Sequence, residues 1–146
     1  MTDWNERFLQ LAELVSGWSK DPSTKVGCVL VGGNNIVLGL GYNGFPRGVE
    51  DTSERLDHRE TKYLMVQHAE TNAIQNTQGN LGGATAYVTH KPCANCCGAL
   101  IQAGISKVIS RPTDEGLSER LKGSYKASEA MMKEAGIEFL EVSSVS

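Results

Sequence analysis

The chain has 146 residues, 40% of them apolar, with charges of both signs spread along it, which is the size and balance of one domain expected to span residues 1–146. A formal net charge of −3 and a pI near 5.6 argue against a surface that grips a nucleic-acid backbone, so a small free substrate fits better. No run is long and apolar enough to span a bilayer, and Met1 to Glu6 lacks the basic and apolar regions of a secretion signal, so a cytoplasmic protein with no membrane partner is expected.

Trp4, Phe8, Leu11, Val15 and Trp18 recur at intervals of four, three, four and three, which predicts a helix capped by Asp3 with Glu6 opposite and a stripe facing the core. Gly17 to Thr24 breaks it. Gly27 to Val31 and Ile36 to Leu40 then read as two strands of a hairpin turning through Gly32-Gly33-Asn34-Asn35. Residues 43–67 carry Gly44, Pro46, Gly48 and many charges without a period, and read as a long irregular excursion. Such a loop covers a site, makes a subunit contact or stays disordered. Beyond it the pattern alternates: helix Ala69 to Asn76, strand Ala84 to Thr89, helix Ala94 to Ala103, strand Lys107 to Ser110, helix Ser124 to Ala135 and strand Ile137 to Val142. Alternation of this kind predicts a layered α/β domain.

Cys93, Cys96 and Cys97 crowd into one segment behind Pro92, and in a reducing compartment clustered thiols point to metal. Pro92 suits the first turn of a helix, and Cys93 and Cys96, three apart, can face one ion near its amide-rich N-terminus. His68 opens another predicted helix and completes a His-Cys-Cys set if the two N-termini converge. Three ligands leave one coordination position open, which is the arrangement of a catalytic zinc. Cys97 could compete with Cys96 but is turned about 100° from it on a regular helix and is expected to pack inside, as is Cys28. Recruitment of Cys97, His58 or His90 as a fourth ligand would instead make a structural zinc module for protein or nucleic-acid binding. Glu70 is either a carboxylate stabilised by a helix N-terminus or a general base. In a poorly solvated pocket it could take a water proton, hand it to a ring nitrogen and then protonate a leaving amine.

The spacing His68-x-Glu70 with Pro92-Cys93-x-x-Cys96 is the known signature of zinc nucleobase deaminases. The segments Ser19 to Gly27, Gly41 to Gly48, Lys62-Tyr63, His68 to Ile74 and Gln102 to Ile105, in that order over residues 4–109, resemble the deoxycytidylate (dCMP) deaminases. The resemblance implies a cytidine-deaminase-like three-layer α/β/α sandwich around a five-stranded mixed sheet. It implies zinc-dependent hydrolytic deamination of dCMP to dUMP, which supplies thymidylate synthesis, by a homohexamer activated by dCTP and inhibited by dTTP. Glu70 is then the catalytic residue, and His68, Cys93 and Cys96 hold Zn2+. Asn43 contacts the sugar, Ala69 lies against the substrate, and Ser19, Lys20 and Thr24 lie near its phosphate. Gly41, Tyr42, Asn43, Gly44 and Arg47 form a candidate effector site, where a triphosphate would bring Mg2+.

Bottom-up, Asn43 is a turn cap or a ligand-binding amide, Lys20 a solvated charge or a phosphate partner, and Arg47 and Lys25 exposed charges or triphosphate contacts. The chain departs from the family at Cys97, where Ala is common, and at Ser110-Arg111-Pro112-Thr113-Asp114-Glu115, which replaces an aromatic-containing acidic segment. Arg111 there is a surface residue or room for more phosphate, so a bifunctional dCMP/dCTP deaminase is the alternative. A tRNA deaminase is disfavoured by the acidic balance, and a free-base deaminase by the Ser19 to Gly27 segment.

Overall fold

A computed structural model describes residues 3–113 and 115–144. Asp114 of the departing segment and Met1-Thr2 of the leader reading lie outside the described residues. Helix α1 (Trp4–Ser16) precedes strands β1 (Gly27–Val31) and β2 (Val37–Tyr42), then short helices α2 (Ser53–Asp57) and α3 (Arg59–Met65). Helix α4 (Ala69–Gln75), β3 (Thr85–Val88), α5 (Ala94–Gln102), β4 (Lys107–Ser110), α6 (Glu115–Arg120), α7 (Lys122–Ala135) and β5 (Glu138–Glu141) follow. The sheet order is β2-β1-β3-β4-β5. Strand β1 runs antiparallel to β2 and β3, whereas β3, β4 and β5 are parallel because a helix returns the chain between them.

The three central strands, β1, β3 and β4, are buried on both faces, and their alternate residues divide the core into two layers. Val29, Val31, Tyr87 and Ile109 meet Phe8, Leu9 and Ala12 of α1. Cys28, Leu30, Ala86, Val88 and Val108 meet Ala69 and Ala73 of α4, Cys97 and Leu100 of α5 and Met132 of α7. This is the expected α/β/α sandwich, and both Cys28 and Cys97 pack in it as expected. At Gly41 the sheet touches α4 so closely that an added Cβ would lie 2.4 Å from the Ala73 amide nitrogen. Asn72 and Asn76 of α4 tie the same edge by donating to the Tyr42 and Leu40 carbonyls at 2.8 and 3.0 Å.

Three expectations need correction. Of the expected stripe Phe8 and Val15 are buried and Leu11 is partly buried, with Leu9 and Ala12 buried beside them, but Trp4 and Trp18 are half exposed. Trp4 is the first residue of the helix and stacks on Phe8, whereas Trp18 lies beyond the helix end at Ser16 and is edge-on to Tyr42. Asp3 does cap the helix, accepting from the Glu6 amide at 2.8 Å. Residues 43–67 are not wholly irregular, since Thr52 and His58 cap α2 and α3. Only Lys62 of these helices is buried, so no apolar stripe announces them. Arg111 is not a surface residue, nor does it line the cavity beside Glu70. It is 6% exposed and gives Glu6 two hydrogen bonds, at 2.8 and 2.6 Å, and Glu13 one at 2.9 Å. It also donates to the Val142 and Ser143 carbonyls, so it locks α1 to the far edge of the sheet.

Candidate active site

His68 is the N-cap of α4 and Cys93 the N-cap of α5. The two helix starts converge as the sequence reading required. The His68 Nδ1 atom lies 3.2 Å from Cys96 Sγ and 3.5 Å from Cys93 Sγ, and all three ligand atoms fall within 4.8 Å of one another. Zinc bonds of about 2.0–2.1 Å to nitrogen and 2.3 Å to sulfur at a tetrahedral angle place N and S about 3.6 Å apart. The trio therefore fits one zinc ion without rearrangement of the backbone. Among the described residues no fourth His, Cys, Asp or Glu joins the group.

The thiol pair is held from behind by α7, a contribution the sequence reading missed. The Ala94 amide donates to Ser124 Oγ at 2.7 Å, and Ser128 Oγ donates to the Pro92 carbonyl at 2.9 Å. Cys97 points away, its Sγ 3.6 Å from the Ser128 carbonyl, and is not a ligand. His58 caps α3 through Thr61, and His90 lies beside Thr89, so neither joins the trio. The hydrogen bond from Cys96, more than any other cause, holds Cys93 down to about 4, and the same bond pushes Cys96 far up. His68 is raised, chiefly by its hydrogen bond with Cys93.

Glu70, in the first turn of α4, is 4% exposed. Burial pushes its carboxyl up to about 7, only partly opposed by its own backbone amide. It lines a cavity of about 400 Å³ together with His68, Ala69, Cys93, Asn43 and Thr24. The sequence reading placed all six at the site, and Cys96 stands behind them as the buried ligand.

Ser19 and Lys20 do not line this cavity. Ser19 is buried and donates to the Asn43 carbonyl at 2.8 Å, while Lys20 is exposed and paired with Asp51 at 3.1 Å. The organiser of their loop is Asp21, which is 7% exposed. Its carboxylate accepts from the Ser23 and Thr24 amides at 2.8 and 3.1 Å and from Lys62 Nζ at 3.1 Å. The Asn43 amide spends both hydrogens within the protein, on the Thr24 carbonyl and Asp21, and its oxygen accepts from the Val26 amide at 2.8 Å. One lone pair of that oxygen remains for a ligand. On the far wall Leu117 and Arg120 come from α6, Leu121 is the N-cap of α7 and Tyr125 lies in α7, and none of the four was expected at the site. Their spacing of three, one and four is the helical signal that could have revealed them.

Tyr42, Gly44 and Arg47 of the effector candidates line a second cavity of about 400 Å³ with Asn72 and Asn76, where Arg47 donates to Asn76 Oδ1 at 2.7 Å. Gly41 lies beneath α4, and Asn43 faces the first cavity.

Residues 2–111 match the model of the cytidine and deoxycytidylate deaminase zinc-binding region. An uncharacterised deaminase from the luxG 3′ region of Aliivibrio fischeri is 46% identical over 138 residues, covering 94% of this chain and 92% of that protein. Human deoxycytidylate deaminase is 39% identical over 132 residues, 82% of this chain and 73% of its own. The crystal structure of dCMP deaminase from cyanophage S-TIM5 with dCMP and dUMP superposes with a TM-score of 0.73 at 26% identity, covering 94% of this chain and 95% of that one. On the sequence match and on the zinc-competent trio at two helix starts, the chain belongs to the cytidine and deoxycytidylate deaminase family.

Proposed function

We propose that the protein deaminates dCMP hydrolytically, adding water and releasing dUMP and ammonia. The observation that carries the reading is the buried carboxyl of Glu70 beside His68, Cys93 and Cys96 on the wall of one nucleotide-sized cavity. Zinc held by the trio supplies a Lewis acid that makes water nucleophilic near neutral pH. Glu70 takes a proton from the attacking water and delivers it to the ring nitrogen beside the reacting carbon. It then carries the second proton to the departing amine. The apolar surroundings of Glu70 keep this proton from exchanging with bulk water. The spare lone pair of Asn43 accepts from a sugar hydroxyl. The absence of a fourth ligand among the described residues supports catalysis over a structural zinc module.

The human and cyanophage relatives support dCMP as the substrate. With Arg111 committed to Glu6 and Glu13, the alternative of dCTP turnover has lost the residue that motivated it. The family resemblance further supports a single-domain enzyme assembled as a cytoplasmic homohexamer, activated by dCTP with Mg2+, inhibited by dTTP and supplying dUMP for thymidylate synthesis. The second cavity, with Tyr42, Gly44 and Arg47, is the seat we assign to the effector. Among the described residues no helix is long and apolar enough to cross a membrane.

The test is ammonia release from dCMP, dCTP, CMP and deoxycytidine, each alone and with dCTP or dTTP added. Turnover of dCMP above the others supports the substrate, and preference for deoxycytidine or no turnover refutes it. Sigmoidal dCMP kinetics made hyperbolic by dCTP support linked sites, whereas hyperbolic kinetics indifferent to both effectors remove the regulation.

A further inference from the structure

The cavity presents three lysine or arginine side chains, and two already have carboxylate partners. Lys62 is buried against Asp21 at 3.1 Å, and Lys91 lies 2.6 Å from Glu129 and 4.0 Å from Glu141. The third, Arg120, ends α6 and makes no ion pair among the described residues. Its position differs from theirs in another respect: it is exposed at the mouth, whereas Glu70 lies at the depth of the same cavity. A nucleotide that sends its base to Glu70 leaves its strongly hydrated phosphate at the rim, where desolvation is least. A planar guanidinium there offers paired donors that match two phosphate oxygens.

We infer that Arg120 is the phosphate-recognising residue of the site, and that it selects a nucleoside 5′-monophosphate over the nucleoside. The inference rests on the reading of the protein as a nucleotide deaminase, and deepens it by naming the selecting group. It replaces Lys20 and Arg111, whose charges are spent on Asp51 and on Glu6 with Glu13. Leu117, one helical turn before Arg120, lines the cavity with it, as does Leu121.

Calorimetric binding of dUMP and of deoxyuridine to zinc-loaded wild type, Arg120→Gln and Arg120→Lys tests the assignment. In Arg120→Gln the dUMP dissociation constant should rise about tenfold to a hundredfold, the effect of losing a charged hydrogen-bond pair. Deoxyuridine affinity should stay as in wild type. Arg120→Lys, which keeps the charge but loses the fork, should fall between. The dUMP preference should also weaken as salt rises, because the contact is exposed. Unchanged dUMP affinity in Arg120→Gln, or equal weakening of both ligands, overturns the assignment. A wild-type enzyme that binds deoxyuridine as well as dUMP refutes instead the nucleotide reading beneath it.

Discussion

Gly41→Ala isolates the contact that seats the catalytic helix on the sheet. The new methyl carbon would stand 2.4 Å from the Ala73 nitrogen and 2.8 Å from both the Ala69 oxygen and the Asn72 carbonyl carbon. All three are backbone atoms of α4, so no side chain can swing aside. Ordinary contact begins at 3.4 Å, so strand or helix must give by about 1 Å. Overpacking of this kind costs about 1–3 kcal/mol, or roughly 3–10 °C in melting temperature for a domain of this size. The displaced helix carries His68 at its cap and Glu70 in its first turn, and a misplacement of about 1 Å can lower turnover about a hundredfold. Gly44→Ala, three residues on, is the control: nothing lies within 4 Å of its Cβ, and its stability should stay within about 0.5 kcal/mol of wild type. Thermal unfolding and dCMP turnover, measured on both variants at equal zinc content, decide the matter. Gly41→Ala with wild-type melting and turnover would refute the steric argument, and loss of effector response alone would return Gly41 to an effector role.

Glu70→Gln preserves the shape of the carboxyl but cannot relay a proton, so zinc content should hold while turnover falls about 10²- to 10⁴-fold; activity retained in zinc-loaded protein would contradict the assigned role. Cys96→Ala should lose the metal on dialysis against a mild chelator, whereas Cys97→Ala should keep it at a cost of about 1 kcal/mol in stability; the reverse pattern by metal analysis would reassign the ligand. The Arg111 hydrogen bonds hold the Glu6 carboxyl below its ordinary 4.5, so its stabilisation is complete above that value and is lost as pH falls through the lower folded value. Glu6→Gln should therefore be less stable than wild type at neutral pH, with the gap narrowing on acidification; a constant gap down the acid limb would dissociate Glu6 from the ion cluster.

What could be read from sequence was whatever left a period or a fixed spacing. Strands β1 and β4 begin and end where short apolar runs and turn residues put them, because burial on both faces demands continuous apolar runs. His68, Glu70, Cys93 and Cys96 were legible because ligand chemistry restricts both residue type and interval. Helices α2 and α3 escaped because one buried Lys62 gives no stripe, and α6 because Leu117 is its one apolar residue. The Asp21–Lys62 pair and the Arg111 cluster join residues 41 and 105 positions apart, and no local rule links charges at such distances. Trp4 and Trp18 misled because the period runs on past the helix itself, which begins at Trp4 and has already ended at Ser16 before Trp18.

The ligands His68 and Cys93 stand on either side of β3 along the chain, 25 residues apart. An ion held between them closes a loop that contains a whole strand and the register of that strand in the sheet. In the folded chain β3 lies between β1 and β4, so the closed loop is held together with the centre of the sheet. By mass action the same ion draws the chain toward the finished fold, and a chelator should lower the melting temperature as well as stop turnover.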